Sequence, residues 1–142
     1  MVSEDDLDGF GYYEQSKPMK PPKSVIGMVQ EFVKVTGQVP SAELSVKLID
    51  EEYLEWQEEF FNYIDELDDY NPVKELKELS DLVYVIYGYA NVRGWDLDEG
   101  LRRVHQNNVG RCVQPDGTVQ RRGDGKIMKN KDYPKVDLGD LV

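Results

Sequence analysis

The chain has 142 residues, 32% of them charged, and a net charge of −11. That length is one domain with enough apolar residues for a core. Its acidity excludes general binding to nucleic-acid backbones, which needs a positive surface. A single cysteine, Cys112, excludes an intrachain disulfide and fits a reducing compartment.

The charge is uneven. Residues 43–81 carry 14 acids and 3 bases, net −11, whereas residues 100–135 carry 9 bases and 3 acids, net +6. A metal ion at the acidic end and a phosphate at the basic end would suit this split. A solvated acidic helix beside a soluble basic tail is the plainer reading of composition alone. The N-terminus has acids where a signal peptide has bases. The longest apolar run, Leu82 to Tyr87, is far short of the ~20 residues of a membrane span. A cytoplasmic protein without a membrane partner is expected.

In chain order, residues 1–23 are polar and rich in Gly and Pro, and read as a flexible N-terminal arm ahead of a domain over 24–142. Ser24 predicts the cap of a first helix reaching about Thr36, with Val25, Met28, Val29 and Phe32 on one face and Gly37 and Pro40 ending it. Ser41 predicts a second helix, with Glu43 in its first turn, running to about Leu67. Asn71-Pro72 starts a third that ends near Arg93-Gly94. Asp96 caps a fourth through about Asn107. Beyond Gly110, Gln114-Pro115-Asp116-Gly117-Thr118 and Gly123-Asp124-Gly125 are turns between short extended runs. The fold class is therefore all-α, an antiparallel helical bundle with a short irregular or β-hairpin tail.

Two acidic motifs stand on neighbouring helices. Glu51-Glu52-Tyr53-Leu54-Glu55 and Glu78-Leu79-Ser80-Asp81 each place two carboxylates three residues apart, on one helix face. On the second helix, Ile49, Tyr53, Trp56, Phe60, Ile64 and Leu67 fall within an arc of roughly 80° at about 100° per residue. That arc predicts the core stripe. Glu52, Glu55 and Glu59 line its shoulder, while Glu51 and Glu58 point toward solvent. On the third helix, Leu76, Leu79, Val83, Tyr87 and Ala90 make one apolar face, and the opposite face carries Glu78 and Asp81 and continues as Leu82, Val85 and Tyr89, so both sides are expected to be buried. Partly buried like charges repel, so a hard divalent cation such as Mg²⁺ or Mn²⁺ is expected between them. Such ions accompany phosphate-bearing substrates and lower the pKa of a bound water, with a spare carboxylate as general base.

The double motif resembles the signature of the all-α nucleoside triphosphate pyrophosphatases, which include MazG, the dimeric dUTPases and the phosphoribosyl-ATP pyrophosphohydrolases. Met28-Val29-Gln30-Glu31-Phe32 resembles that family's first helix, and Val104-His105-Gln106-Asn107-Asn108 the end of its last. Gly125-Lys126-Ile127-Met128-Lys129, Tyr133-Pro134 and Asp137-Leu138 are similar to the tail of stand-alone MazG-like enzymes of phages and bacteria. The resemblance implies a MazG-type bundle with Mg²⁺, or Mn²⁺ in its place, held by Glu52, Glu55, Glu78 and Asp81. Glu52 would also act in catalysis, and Glu51 would orient water from further out. Glu59 lies within reach of an additional ion. The implied reaction is water attack on the α phosphorus of a nucleoside triphosphate, giving monophosphate and pyrophosphate. Asn108, Arg111, Lys126, Lys129 and Tyr133 are the implied substrate contacts. Arg111 stands where the family usually has Lys, a planar fork in place of a point charge.

The resemblance to the phage-type tail leans toward purines, with dGTP the single best substrate. Burial of the third helix on both sides predicts a homodimer or homotetramer. Two rivals stand beside this reading: a phosphoribosyl-ATP pyrophosphohydrolase-like enzyme, and a non-catalytic acidic helical interaction module. An acidic module spreads its acids over exposed faces, whereas these acids flank an apolar stripe.

Overall fold

The computed structural model describes residues 24–38 and 40–142, so the predicted arm over 1–23 lies outside the described residues. Four α-helices and one short 3-10 turn make up the regular structure there: α1 (Val25–Thr36), α2 (Ala42–Ile64), α3 (Pro72–Arg93), α4 (Leu97–Cys112) and the turn Gly139–Leu141. The fold class is all-α, as the periodicity predicts. The helices fall into two compact units, one ending at Arg93 and the other spanning Gly94–Val142.

In the first unit the helix starts are set by local chemistry. The Ser24 hydroxyl accepts from Gly27 N–H at 3.1 Å and the Ser41 hydroxyl from Leu44 N–H at 3.1 Å, each satisfying an amide that has no partner within its helix. Asn71 Oδ1 accepts from Val73 N–H at 2.9 Å, with Pro72 at the first helical position. Gly37, at φ 67°, closes α1 by donating its N–H to Val33 O. α2 ends at Ile64, three residues short of the predicted Leu67. Glu66 takes the left-handed conformation (φ 52°), and Leu67 N–H turns back to Asn62 O at 3.1 Å. A glycine normally marks such a stop, and none is present here to signal it.

α3 packs against both α1 and α2. Among the described residues, the buried side chains are Val29, Tyr87 and Ala90 with Ser45, Glu59 and Glu78. The predicted core stripe of α2 is therefore corrected. Tyr53 is 44% exposed, Ile64 and Leu67 are also exposed, and Trp56 and Phe60 are half-buried, their rings stacked 5.8 Å apart. The deepest seam of α2 runs through Ser45, Glu52 and Glu59, seven residues apart, so the carboxylate shoulder is the face turned to α3. On α3, Tyr87 and Ala90 are buried as predicted, but Leu76, Leu79 and Val83 are exposed.

In the second unit, Asp96 accepts from Glu99 N–H at 3.0 Å and starts α4, which continues to Cys112, five residues past the predicted Asn107. Gly110 does not stop the helix. The Tyr133 ring lies on it so closely that a Cβ there would stand 2.2 Å from Tyr133 Oη. The two predicted turns form, with Gln114 N–H donating to Thr118 O at 2.8 Å and Arg122 N–H to Lys126 O at 2.8 Å. The hairpin shrinks to one antiparallel bridge, Arg121 to Ile127, and no strand forms among the described residues.

Candidate metal centre

The seam between α2 and α3 gathers the acids. Glu52, Glu55 and Glu78 each offer a carboxylate oxygen, and these three oxygens lie within 4.8 Å of one another. α2 supplies the first two from adjacent turns and α3 supplies the third. Glu78 is only 7% exposed, Glu52 is half-buried, and Glu55 is the open side of the group. Burial pushes the Glu78 carboxyl above the ordinary carboxylate range, and its hydrogen bond with Glu55 raises it further, against the opposing charge of Lys77. Glu52 is raised too, by burial first and then by the charges of Glu55, Asp81 and Glu78.

One oxygen of Glu52 (Oε2) and one of Glu78 (Oε2) are buried without a hydrogen-bond partner. A buried acceptor left unmatched costs roughly 1–3 kcal/mol, more when charged. Two such oxygens on members of one cluster, beside a third carboxylate, suit a small hard cation. The donor set is all carboxylate oxygen, which favours Mg²⁺ or Mn²⁺ over metals that prefer sulfur or imidazole.

The other predicted acids sit around this group. Asp81 is outside the three-oxygen cluster, on its rim, where Lys77 Nζ approaches its Oδ2 to 2.6 Å. Glu51 is exposed and outside the cluster. Glu59, 3% exposed, is held by Lys74 Nζ at 2.9 Å from its Oε1. Both lysines escaped the sequence reading. Lys77 was legible as the i,i+4 partner of Asp81, whereas the Lys74–Glu59 pair depends on the register between two helices. Next to the acids, a cavity of about 310 Å³ opens between α1, α2 and α3. Val29, Phe32, Leu48, Tyr84, Val85 and Gly88 are among its walls, and Gln38 and Asn91 also line it. Leu48 precedes Glu52 by one turn, and Tyr84 follows Asp81 by about one.

The predicted substrate contacts all belong to the second unit. Arg111 Nη2 donates to Asn108 Oδ1 at 3.0 Å, and Arg111 Nε is buried without a partner. Tyr133 is fixed against Gly110. Lys126 and Lys129 are exposed. Arg103 joins Glu99 (2.8 Å) to Asp140 across 37 residues. With Arg102 beside it, this holds the Glu99 carboxyl down to about 2.

A family model described as phosphoribosyl-ATP pyrophosphohydrolase matches residues 30–108, more than half of the chain. The match spans both carboxylate motifs and ends at Asn108. No curated protein matches the chain.

Proposed function

Because the chain belongs to the phosphoribosyl-ATP pyrophosphohydrolase family, within the MazG-like all-α superfamily, and is thereby a pyrophosphohydrolase of nucleotide substrates, we propose that it is a Mg²⁺-dependent hydrolase of deoxynucleoside triphosphates. The products are the monophosphate and pyrophosphate, and dGTP is the preferred substrate.

The observation that carries the metal dependence is the cluster of Glu52, Glu55 and Glu78 oxygens with two buried oxygens left without partners. Glu52, Glu55 and Glu78 would hold the ion, with Asp81 completing the set from the rim. A bound divalent ion supplies neutralisation of phosphate oxygens and a more acidic water. Glu52, raised by burial and by its neighbours, would take a proton from the attacking water. Glu51, exposed one position earlier, orients water from outside. The neighbouring cavity lies at the low end of the roughly 300–1,000 Å³ typical of small-molecule sites. It takes the base against Phe32 and Tyr84, whose rings meet edge-on at 5.9 Å. Asn108, Arg111, Lys126, Lys129 and Tyr133 stay proposed substrate contacts on the family resemblance alone. The enzyme works in the cytoplasm as a homodimer or homotetramer. Among the described residues no helix is long and apolar enough to cross a membrane.

Phosphoribosyl-ATP is the second reading, supported by the description of the matching family. One assay separates the two. The eight common triphosphates and phosphoribosyl-ATP are incubated with Mg²⁺ and with chelator, and the phosphate products are resolved. Pyrophosphate release from deoxynucleotides, lost in chelator, is expected. Turnover of phosphoribosyl-ATP alone would favour the second reading, and full activity in chelator would remove the ion from the mechanism.

A further inference from the structure

The acid cluster already contains a cation of its own. Lys77 Nζ lies 2.6 Å from Asp81 Oδ2 and 3.7 Å from Glu78 Oε1. Lys74, nearly one turn earlier on α3, stands 2.9 Å from Glu59 Oε1. The two ammonium groups carry the same charge, extend from the same helix, and are exposed to the same degree (62% and 63%). Only Lys77 occupies oxygens of proposed ion ligands.

We propose that Lys77 is the resident counter-ion of the cluster, a positioning residue that holds Glu78 and Asp81 in the ion-free enzyme and releases them when a divalent cation binds. The inference rests on the cation-binding reading of the cluster. An ammonium and a divalent ion cannot share the same carboxylates without strong repulsion. The lysine is the one that can leave, because it hangs on a flexible four-carbon stem and its head is already largely in water. Until then it offsets part of the repulsion among Glu52, Glu55, Glu78 and Asp81. The lysine thereby keeps two ligands from the same helix close to where the ion needs them. An exposed i,i+4 pair is a weak contact, so the exchange is easily driven.

The test measures Mg²⁺ affinity by calorimetry without nucleotide, together with melting curves in chelator and in saturating Mg²⁺. It compares wild type, Lys77→Gln, Lys77→Arg and Lys74→Gln. Lys77→Gln should melt below wild type in chelator and level with it in Mg²⁺. It should bind Mg²⁺ roughly two- to five-fold more tightly, the worth of one exposed ion pair. Lys77→Arg should return toward wild-type affinity, and Lys74→Gln should match wild type in Mg²⁺ affinity, although it melts lower because it leaves the buried Glu59 unpaired. A purely structural lysine would not tighten metal binding when removed. Unchanged or weaker Mg²⁺ affinity in Lys77→Gln would overturn the proposal. Equal tightening in both Gln variants would do so too, by pointing to long-range charge rather than contact. If wild type itself shows no Mg²⁺ binding, the cation reading falls, and this inference falls with it.

Discussion

Glu78 and Glu52 decide how the site responds to pH. Both carboxyls are raised above the ordinary 4.5 by burial. A raised acid contributes stability that is fully present below the unfolded pKa and is lost as pH climbs through the folded value. The ion-free protein should therefore weaken from about pH 4.5 upward, over the range in which the same groups ionise and become able to serve as the proposed ligands. Glu78→Gln removes one such group. In chelator it should equal or exceed wild type at about pH 8, with the difference vanishing toward pH 4.5. In Mg²⁺ it should gain less than wild type, whose gain is about 2.7 kcal/mol at a hundredfold excess over Kd. Melting curves across pH with and without Mg²⁺ check both signs. Activity gives a second test of these residues. Glu52→Gln, Glu55→Gln, Glu78→Gln and Asp81→Asn should each lower kcat by a factor on the order of 10² or more. Glu58→Gln should be near neutral because Glu58 is exposed and outside the carboxylate cluster, whereas Glu55 belongs to it. An equal loss at Glu58 and Glu55 would contradict the observed phase of α2. The acids were legible because their spacing on each helix is local information. The Lys74–Glu59 pair was not, because charge pairing between helices depends on register, whereas Lys77 stands at local i,i+4 spacing from Asp81.

At the level of the helices, starts were read correctly and two ends were not. Ser24, Ser41, Asn71 and Asp96 cap through bonds reaching only two or three residues, so sequence alone suffices. Gly110 lies beyond the predicted end at Asn107, yet it sits inside the helix as a packing site for a ring 23 positions away. The buried face of α2 was misplaced by one stripe for a similar reason: hydrophobicity pointed to Tyr53 and Ile64, whereas the partner helix covers Glu52 and Glu59. Two helical glycines turn this into a paired prediction. Gly88 has nothing within 4 Å of an added Cβ, so Gly88→Ala should stabilise by about 0.5–1 kcal/mol through helix propensity. Gly110→Ala must displace Tyr133 and should cost roughly 1–3 kcal/mol. Denaturant melts of the two variants should move in opposite directions. Two shifts of the same sign would mean that propensity alone governs both sites.

Across the whole molecule, the exposed residues Val73, Leu76, Leu79, Val83 and Ile86 repeat along α3 at helical spacing. Apolar stripes of this kind mark contact surfaces more often than solvent-facing ones. A second copy is the proposed cover, in agreement with the two-sided burial expected from the sequence. Light scattering should give a dimer or tetramer, and Leu76→Glu with Val83→Glu should shift it to monomer. A wild-type monomer at micromolar concentration would refute the assembly. The family was legible from its motifs, and the match over residues 30–108 bears it out.

The seam of Ser45, Glu52 and Glu59 against Glu78 has an evolutionary consequence. Neighbouring helices that meet through carboxylates are in local conflict with the rest of the fold, whose contacts favour apolar filling. Such conflict persists only while selection asks for the chemistry it enables. A library of this chain selected for heat resistance alone, in chelator, should therefore replace Glu52 and Glu78 with apolar residues early. The survivors should be hardier proteins that hydrolyse nothing. Retention of both acids through such a selection would show that they support the fold in their own right.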